Sequence, residues 1–287
     1  MHSEQTVPAK GRLYVVATPI GNLRDVTLRA LDVLAAADVI AAEDTRVSEV
    51  LLAQHGIRKR MLPLHEHNER AQTERILGLL AEGAQVAYLT DAGTPLVSDP
   101  GAHLVREARR HGHEVVPLPG PSAVVTALSA IGLESERFLF IGFLPAKPGA
   151  RRAALEALRS VEGAVVAYEA PHRLRACLGD VEAVLGASVT VTLAKELTKV
   201  HEAVVTGTPE ELLHWLDAEP GRGKGEFVVV IHERVEEGGT DLLEARRVLD
   251  LLLAELPPTR ASALAAKITG VPRAALYEMA TRRKARD

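Results

Sequence analysis

The chain reads as an α/β protein: two α/β units followed by a small helical module. Three observations predict this. Short Val/Leu/Ile-rich runs alternate with helically spaced segments as far as residue 118; a second set of strand-like runs follows, two of them separated by only a short turn; and beyond an acidic, glycine-bearing stretch at 233–241 the chain carries helical spacing alone. The expected boundaries are therefore 1–118, 119–235 and 236–287, the last resembling a helix-turn-helix.

The first unit opens with LYVVA, followed by the helical TLRALDVLAA, the strand-like DVIAA, the helical VSEVLLAQH, MLPLH, the helical RAQTERILGLLAEG and QVAYL. This βαβα order predicts a largely parallel sheet between layers of helices. After EVVPL and the segment PGPSAVVTALSAIGL come RFLFIGF, AVVAYE, SVTVTLAKE, HEAVVTG and EFVVVIHE. The short turn between SVTVTLAKE and HEAVVTG requires antiparallel pairing in the second sheet. In the tail, ASALAAKIT breaks at Gly270-Val271, and Pro272 opens another helix. Either a helix-turn-helix module or a plain helical hairpin fits this pattern.

Of the 287 residues, 47% are hydrophobic and 25% charged, the composition of a globular protein, and the single cysteine, Cys177, excludes an internal disulfide and fits a cytoplasmic setting. The N-terminal MHSEQTVPAKGR has no apolar core of a signal peptide, and the longest uncharged run, 115–133, is broken by three prolines, so no membrane segment is expected. Net charge is −4, yet from Pro258 onward seven Lys/Arg face only Glu278 and Asp287. A basic tail on an acidic body is a footprint of polyanion contact, with Arg273, Arg282, Arg283 and Lys284 as the candidate RNA-binding residues. A basic solvated helix face gives the same count.

Four polar, stiff loops follow strands: TPIGNLRD at 18–25, DAGTPLVSDPG at 91–101, PGPSA at 119–123 and YEAPHR at 168–173. None has the spacing of a P-loop or of a dinucleotide fingerprint. Loops at the carboxyl ends of strands are where open α/β sheets collect ligands. Their fixed main-chain groups, few hydroxyls and few carboxylates suit a zwitterionic ligand with a nucleoside and an amino-acid end.

Together with AAEDTR at 41–46, these motifs resemble the tetrapyrrole-methylase-like class of S-adenosylmethionine (SAM) methyltransferases. Within that class they are similar to the bacterial branch that methylates a ribose 2′-hydroxyl of a cytidine in the decoding centre of 16S ribosomal RNA. The resemblance runs from about Gly11 through the tail, with five motifs in order. It implies a homodimer of two-domain chains with SAM in the cleft between the α/β domains, and 16S rRNA or the small ribosomal subunit as partner. Carried over by motif, Pro19 touches the cofactor and Ala92, Gly93 and Thr94 cradle it. Ser122 and Ala123 take its amino-acid end, Tyr168 lies near sulfur or adenine, and Leu193 and Ala194 border the adenine. Where other members of the class read GGDP, this chain reads AGTP, so the ribose contact is reassigned to Asp91.

A ribose hydroxyl attacks well only as its proton leaves, so a base should lie near the methyl group. The candidates are Lys195 and Glu196, whose strand end borders the adenine residues, and Glu43 and Asp44. Asp44 equally suits a helix cap paired with Arg46, and Lys195-Glu196 an exposed ion pair. HEHNE at 65–69 offers His65 and His67 without a third ligand, so no metal is expected there; an RNA-facing or domain-joining loop fits better. Arg151, Arg152, His172, Arg173 and Arg175 are expected to extend a phosphate track.

Overall fold

The computed structural model describes residues 11–133, 136–232 and 239–284, with side chains for all of these except 239–244 and 282–284. The chain divides into two compact units, Met1–His232 and Glu233–Asp287.

In the first unit the chain runs β1 (Arg12–Val16), α1 (Leu28–Ala36), β2 (Val39–Ala42), α2 (Thr45–Gln54), β3 (Met61–Pro63), α3 (Glu69–Ala81), β4 (Gln85–Leu89), α4 (Ala102–Arg110), β5 (Glu114–Leu118) and α5 (Ala123–Ile131). The five strands form one sheet in the order β3-β2-β4-β1-β5, every pair parallel, as the βαβα pattern requires. Helices cover both faces, so β2 is buried along its whole length and β4 at every residue after Gln85.

Then follow β6 (Phe138–Phe143), α6 (Pro148–Ala157), β7 (Ala164–Glu169), α7 (Pro171–Leu185), β8 (Val191–Lys195), β9 (Ala203–Gly207), α8 (Pro209–Ala218) and β10 (Phe227–Ile231). Their sheet has the order β6-β7-β10-β8-β9. β8 and β9 are antiparallel, as their short connection demands, and β10 runs antiparallel to both β7 and β8; only β6 and β7 are parallel. Strand alternation sorts this sheet into two cores. Leu193 and Val229 pack with Leu178 and Leu212 on one face, while Ala194 and Val228 pack with Ile20 and Val124 on the other.

Helix starts follow local chemistry. Thr208 and Glu211 form a reciprocal capping box at α8, and Thr27 caps α1. The N-cap residue of α4 is Gly101, which has no side chain to offer; the amides there are met by a carboxylate from α3.

The second unit contains α9 (Gly239–Leu253), α10 (Pro258–Thr269) and α11 (Arg273–Lys284). They close on a core of Ala245, Leu249, Ala261, Ala265, Val271, Leu276 and Ala280. α10 ends on Gly270 at φ +76°, the left-handed residue that turns the chain into α11. No described helix is long and apolar enough to cross a membrane.

Candidate active site

Three of the four strand-end loops are fastened to one another. Thr18 and Gly93 exchange backbone hydrogen bonds of 2.9 and 3.0 Å, and the Thr18 hydroxyl donates to the Thr90 carbonyl at 3.1 Å. The Thr94 hydroxyl donates to the Pro121 carbonyl at 3.0 Å, tying the second loop to the third. A Cβ on Gly120 would lie 2.8 Å from that of Ala17, so only glycine lets the third loop come this close to the first.

Between these loops and the second sheet lies a cavity of about 360 Å³. Ala92, Gly93, Thr94, Ser122, Ala123, Tyr168 and Ala194, all expected cofactor residues, line it. The register explains the far wall: Val228 pairs with Tyr168 on one side and Ala194 on the other, giving one row across three strands. Ser122 is the N-cap residue of α5 but makes no capping bond with its side chain, so a hydroxyl and a helix N-terminus meet at the wall. Phe143 stacks edge-on against Tyr168 at 5.6 Å between ring centroids and supplies aromatic lining.

Three expected cofactor residues stand elsewhere. Ile20, the neighbour of Pro19, lines the cavity in its place. Leu193 points into the opposite core, because strand parity separates it from Ala194. Asp91 directs its carboxylate at the amide of Asp44, 3.0 Å away, outside the lining. Among the carboxylates that do line the cavity, Glu169 is bound to Arg173 and the Ala170 amide and Glu226 to Lys199, while Asp99, eight residues on from Asp91 in the same loop, has no ion pair of this kind among the described residues. Burial raises its pKa to about 6, and the charges of Glu43 and Asp91 add to the shift. Tyr168 is pushed up to about 12 by burial and then by Asp99, so it stays neutral.

None of the four candidate bases lines the cavity. Asp44 caps α2 and pairs with Arg46 at 2.6 Å, which holds its carboxyl down at about 2. Lys195 is buried at the end of β8, in register with Phe227. Glu196, at φ +48°, folds back to accept from Lys199 at 3.0 Å and from the Glu226 amide at 2.8 Å; burial opposes its ionisation, but these bonds prevail and lower its pKa. Glu43 alone is held above the ordinary carboxylate range, first by burial and then by Asp91 and Asp44; it accepts weakly from the Asp91 amide at 3.4 Å.

The expected phosphate track is corrected at Arg151. The Arg151 side chain is only 3% exposed and is bound to Asp180 at 2.6 Å, so it cannot reach a surface polyanion. Arg152 shares Asp180, Arg173 pairs with Glu169 and Arg175 with Asp217. In the tail, Arg273 is exposed at the start of α11, with half-exposed Tyr277 one turn on. The side chains of Arg282, Arg283 and Lys284 lie outside the described residues. His65 and His67 stand edge to face at 6.0 Å, and no group of metal-binding side chains occurs among the described residues.

Comparison with known proteins agrees with this architecture. The profile of the Tetrapyrrole (Corrin/Porphyrin) Methylases matches residues 12–213, and that of the RsmI C-terminal HTH domain matches residues 240–284. The chain is 51% identical to the ribosomal RNA small subunit methyltransferase I of Escherichia coli O157:H7, over 95% of both chains. It is 47% identical to the Pseudomonas aeruginosa protein of that name, over 96% of this chain and 99% of the relative. Among solved structures, diphthine synthase superposes with a TM-score of 0.61 at 18% identity, covering 78% of this chain and 90% of its own. Uroporphyrin-III-C-methyltransferase from Thermus thermophilus superposes at 0.55 with 25% identity, covering 77% and 94%.

Proposed function

The chain belongs to the tetrapyrrole (corrin/porphyrin) methylase family, and from that premise we propose that it transfers a methyl group from SAM to a ribose 2′-hydroxyl of a cytidine in the decoding centre of 16S ribosomal RNA. The observation that carries this reading is the end-to-end likeness to ribosomal RNA small subunit methyltransferase I, tail included. A tetrapyrrole substrate would leave that tail without a task.

The cavity fits the cofactor on its own chemistry. Its volume is within the range of small-molecule sites. The free N-terminal amides of α5 and the Ser122 hydroxyl suit a carboxylate end; Asp99 suits hydroxyls or a cationic centre; Ile20, Phe143, Ala194 and Leu197 give an apolar wall. When bound, SAM supplies a methyl carbon activated by a sulfonium. What the chain contributes is alignment, through loops fastened to one another before any ligand arrives, and exclusion of water by the aromatic pair Phe143 and Tyr168. Removal of the hydroxyl proton is assigned to Glu43, which stands outside the lining but against the cavity loop, accepting from the Asp91 amide at 3.4 Å and acting on Asp99 by its charge, and whose carboxyl burial holds above the ordinary range.

The tail carries the RNA affinity in this reading, with Arg273 on its surface. The chain works as a homodimer in the cytoplasm, where its substrate is made. The edge strand β6 supports self-association, since Phe138, Leu139 and Phe143 are 44%, 39% and 54% exposed on it. Mapping 2′-O-methylation in 16S rRNA from a strain lacking the gene, with and without complementation, tests the activity. An unchanged methylation pattern rejects it, as does copurification of a coloured macrocycle in place of RNA.

A further inference from the structure

The HEHNE motif has no part in the chemistry above, yet its last residue reaches the cofactor loop. Glu69 Oε1 accepts the amides of Gly101, His103 and Leu104 at 3.0, 2.9 and 3.4 Å. From the other side, the buried Tyr88 hydroxyl donates to the Pro100 carbonyl at 2.7 Å. A Cβ on Gly101 would lie 2.2 Å from the Tyr88 ring, so the segment is seated directly on that tyrosine. Asp99 is the residue immediately before the two clamped positions.

That segment needs holding. Gly93, Leu96, Ser98 and Gly101 have φ of +81°, +72°, +67° and +105°, and Leu96 and Ser98 pay a steric cost there that glycine would not. Such a path persists only where its surroundings fix it. A carboxylate at the N-terminus of α4 and a phenol that burial keeps neutral are suited to that task.

We propose that Glu69 and Tyr88 are positioning residues that clamp Pro100 and Gly101 from α3 and β4, so that the carboxylate of the preceding Asp99 is presented to the methyl-donor cavity. This rests on the reading that the cavity takes SAM. Glu43 at the end of β2, Asp91 in the same loop, and the phenols of Tyr88 on β4 and Tyr168 on β7 are the titratable groups acting on Asp99 or feeling its charge.

The test is SAM affinity by titration calorimetry between pH 5 and 8 in the full-length wild type, E69A, E69Q, Y88F and D99N. Wild-type affinity should strengthen as pH rises through the ionisation of Asp99, and D99N should flatten that profile. E69A should bind at least about tenfold more weakly at pH 7.5, the loss expected on removing a charged acceptor that serves three amides. Its pH inflection should also move towards the ordinary carboxylate range as Asp99 becomes solvated. Y88F should shift in the same direction, and E69Q, which keeps an acceptor oxygen, should recover most of the affinity. Wild-type affinity and inflection in E69A overturn the clamp. So does weaker binding with the inflection in place, which would mean general destabilisation. If the wild type binds no SAM, the methyl-donor reading itself fails; if it binds and E69A leaves binding untouched, only the clamp fails.

Discussion

Asp91 and Asp44 are joined through a backbone amide: the Asp91 carboxylate accepts from the Asp44 N–H at 3.0 Å, and so braces the loop after β4 against the loop after β2. Asp91 is thus engaged outside the cavity lining, and Asp99 is the lining carboxylate not held in an ion pair like those of Glu169 and Glu226. Asp99→Asn should therefore weaken SAM binding by about tenfold or more, as expected for losing a hydrogen bond to a charged group. Asp91→Ala should cost clearly less affinity and show mainly as a lower melting temperature. Calorimetric titration of both variants beside wild type checks the order, and equal losses would return Asp91 to the site.

Asp99 also links stability to pH. Its pKa is raised in the fold, to about 6 from an ordinary 3.8. The native state therefore holds a proton that the unfolded chain has released between these values, and stability falls as pH climbs through that window. Above it, ionised Asp99 is a standing cost that a ligand-binding site accepts. Asp99→Asn removes the cost, so the variant should melt higher than wild type at pH 8, by about 2 °C or more. At pH 3.5, where both side chains are neutral, the two proteins should coincide. A variant that melts lower at pH 8 would contradict the assignment.

The tail predicts a salt signature. With seven basic residues against two acidic ones from Pro258 onward, RNA affinity should fall steeply with salt as counterions are released. Arg273→Ala, at the exposed start of α11, should flatten the slope of log K against log salt by about 1 and weaken RNA sequences alike. Deleting 241–287 should abolish rRNA methylation while SAM still binds with wild-type affinity. A truncated chain that methylates RNA as well as the full one would make the tail structural.

The order of elements along the chain and the loop motifs were legible because hydrophobic period and Gly/Pro punctuation are local signals. Ala92, Gly93, Thr94, Ser122, Ala123, Tyr168 and Ala194 come together at the cavity because each lies in or beside a strand-end loop. What spacing could not decide was direction. Asp91 and Asp99 belong to one motif, and the left-handed turns between them fall at Leu96 and Ser98, where no glycine announces them. Leu193 and Ala194 are adjacent, and strand parity sends only the second to the cavity. Arg151 looked available in a basic run because its partner Asp180 is 29 residues away and one helix over. The signal that could have found Asp99 was its place in SDPG, just ahead of a helix whose N-cap glycine has no side chain to cap it.

The last prediction concerns the base: none of the four candidates lines the cavity, and their pairing and proton affinity reorder them. Lys195 and Glu196 end β8, but Lys195 is buried at that strand end and Glu196 is committed to Lys199 and the Glu226 amide. Asp44 spends its carboxylate on the first turn of α2 and on Arg46, and with its pKa at about 2 it is a poor proton acceptor. Glu43 differs in both respects. Burial and two neighbouring aspartates raise its proton affinity, and its contact to the Asp91 amide is long enough to yield. Glu43→Gln should accordingly lower single-turnover methylation at saturating SAM and RNA by about 10²-fold, with substrate affinities little changed. Lys195→Met, Glu196→Gln and Asp44→Asn should keep their single-turnover rates within a few fold and show their cost in thermal stability instead. The pH dependence gives a second handle: the wild-type rate should rise with pH as Glu43 ionises, and Glu43→Gln should lose that rise. If Glu43→Gln turns over at the wild-type rate with the pH profile intact, Glu43 is not the base; if the other three variants also keep that rate, none of the four is, and the proton leaves to Asp99 or directly to water.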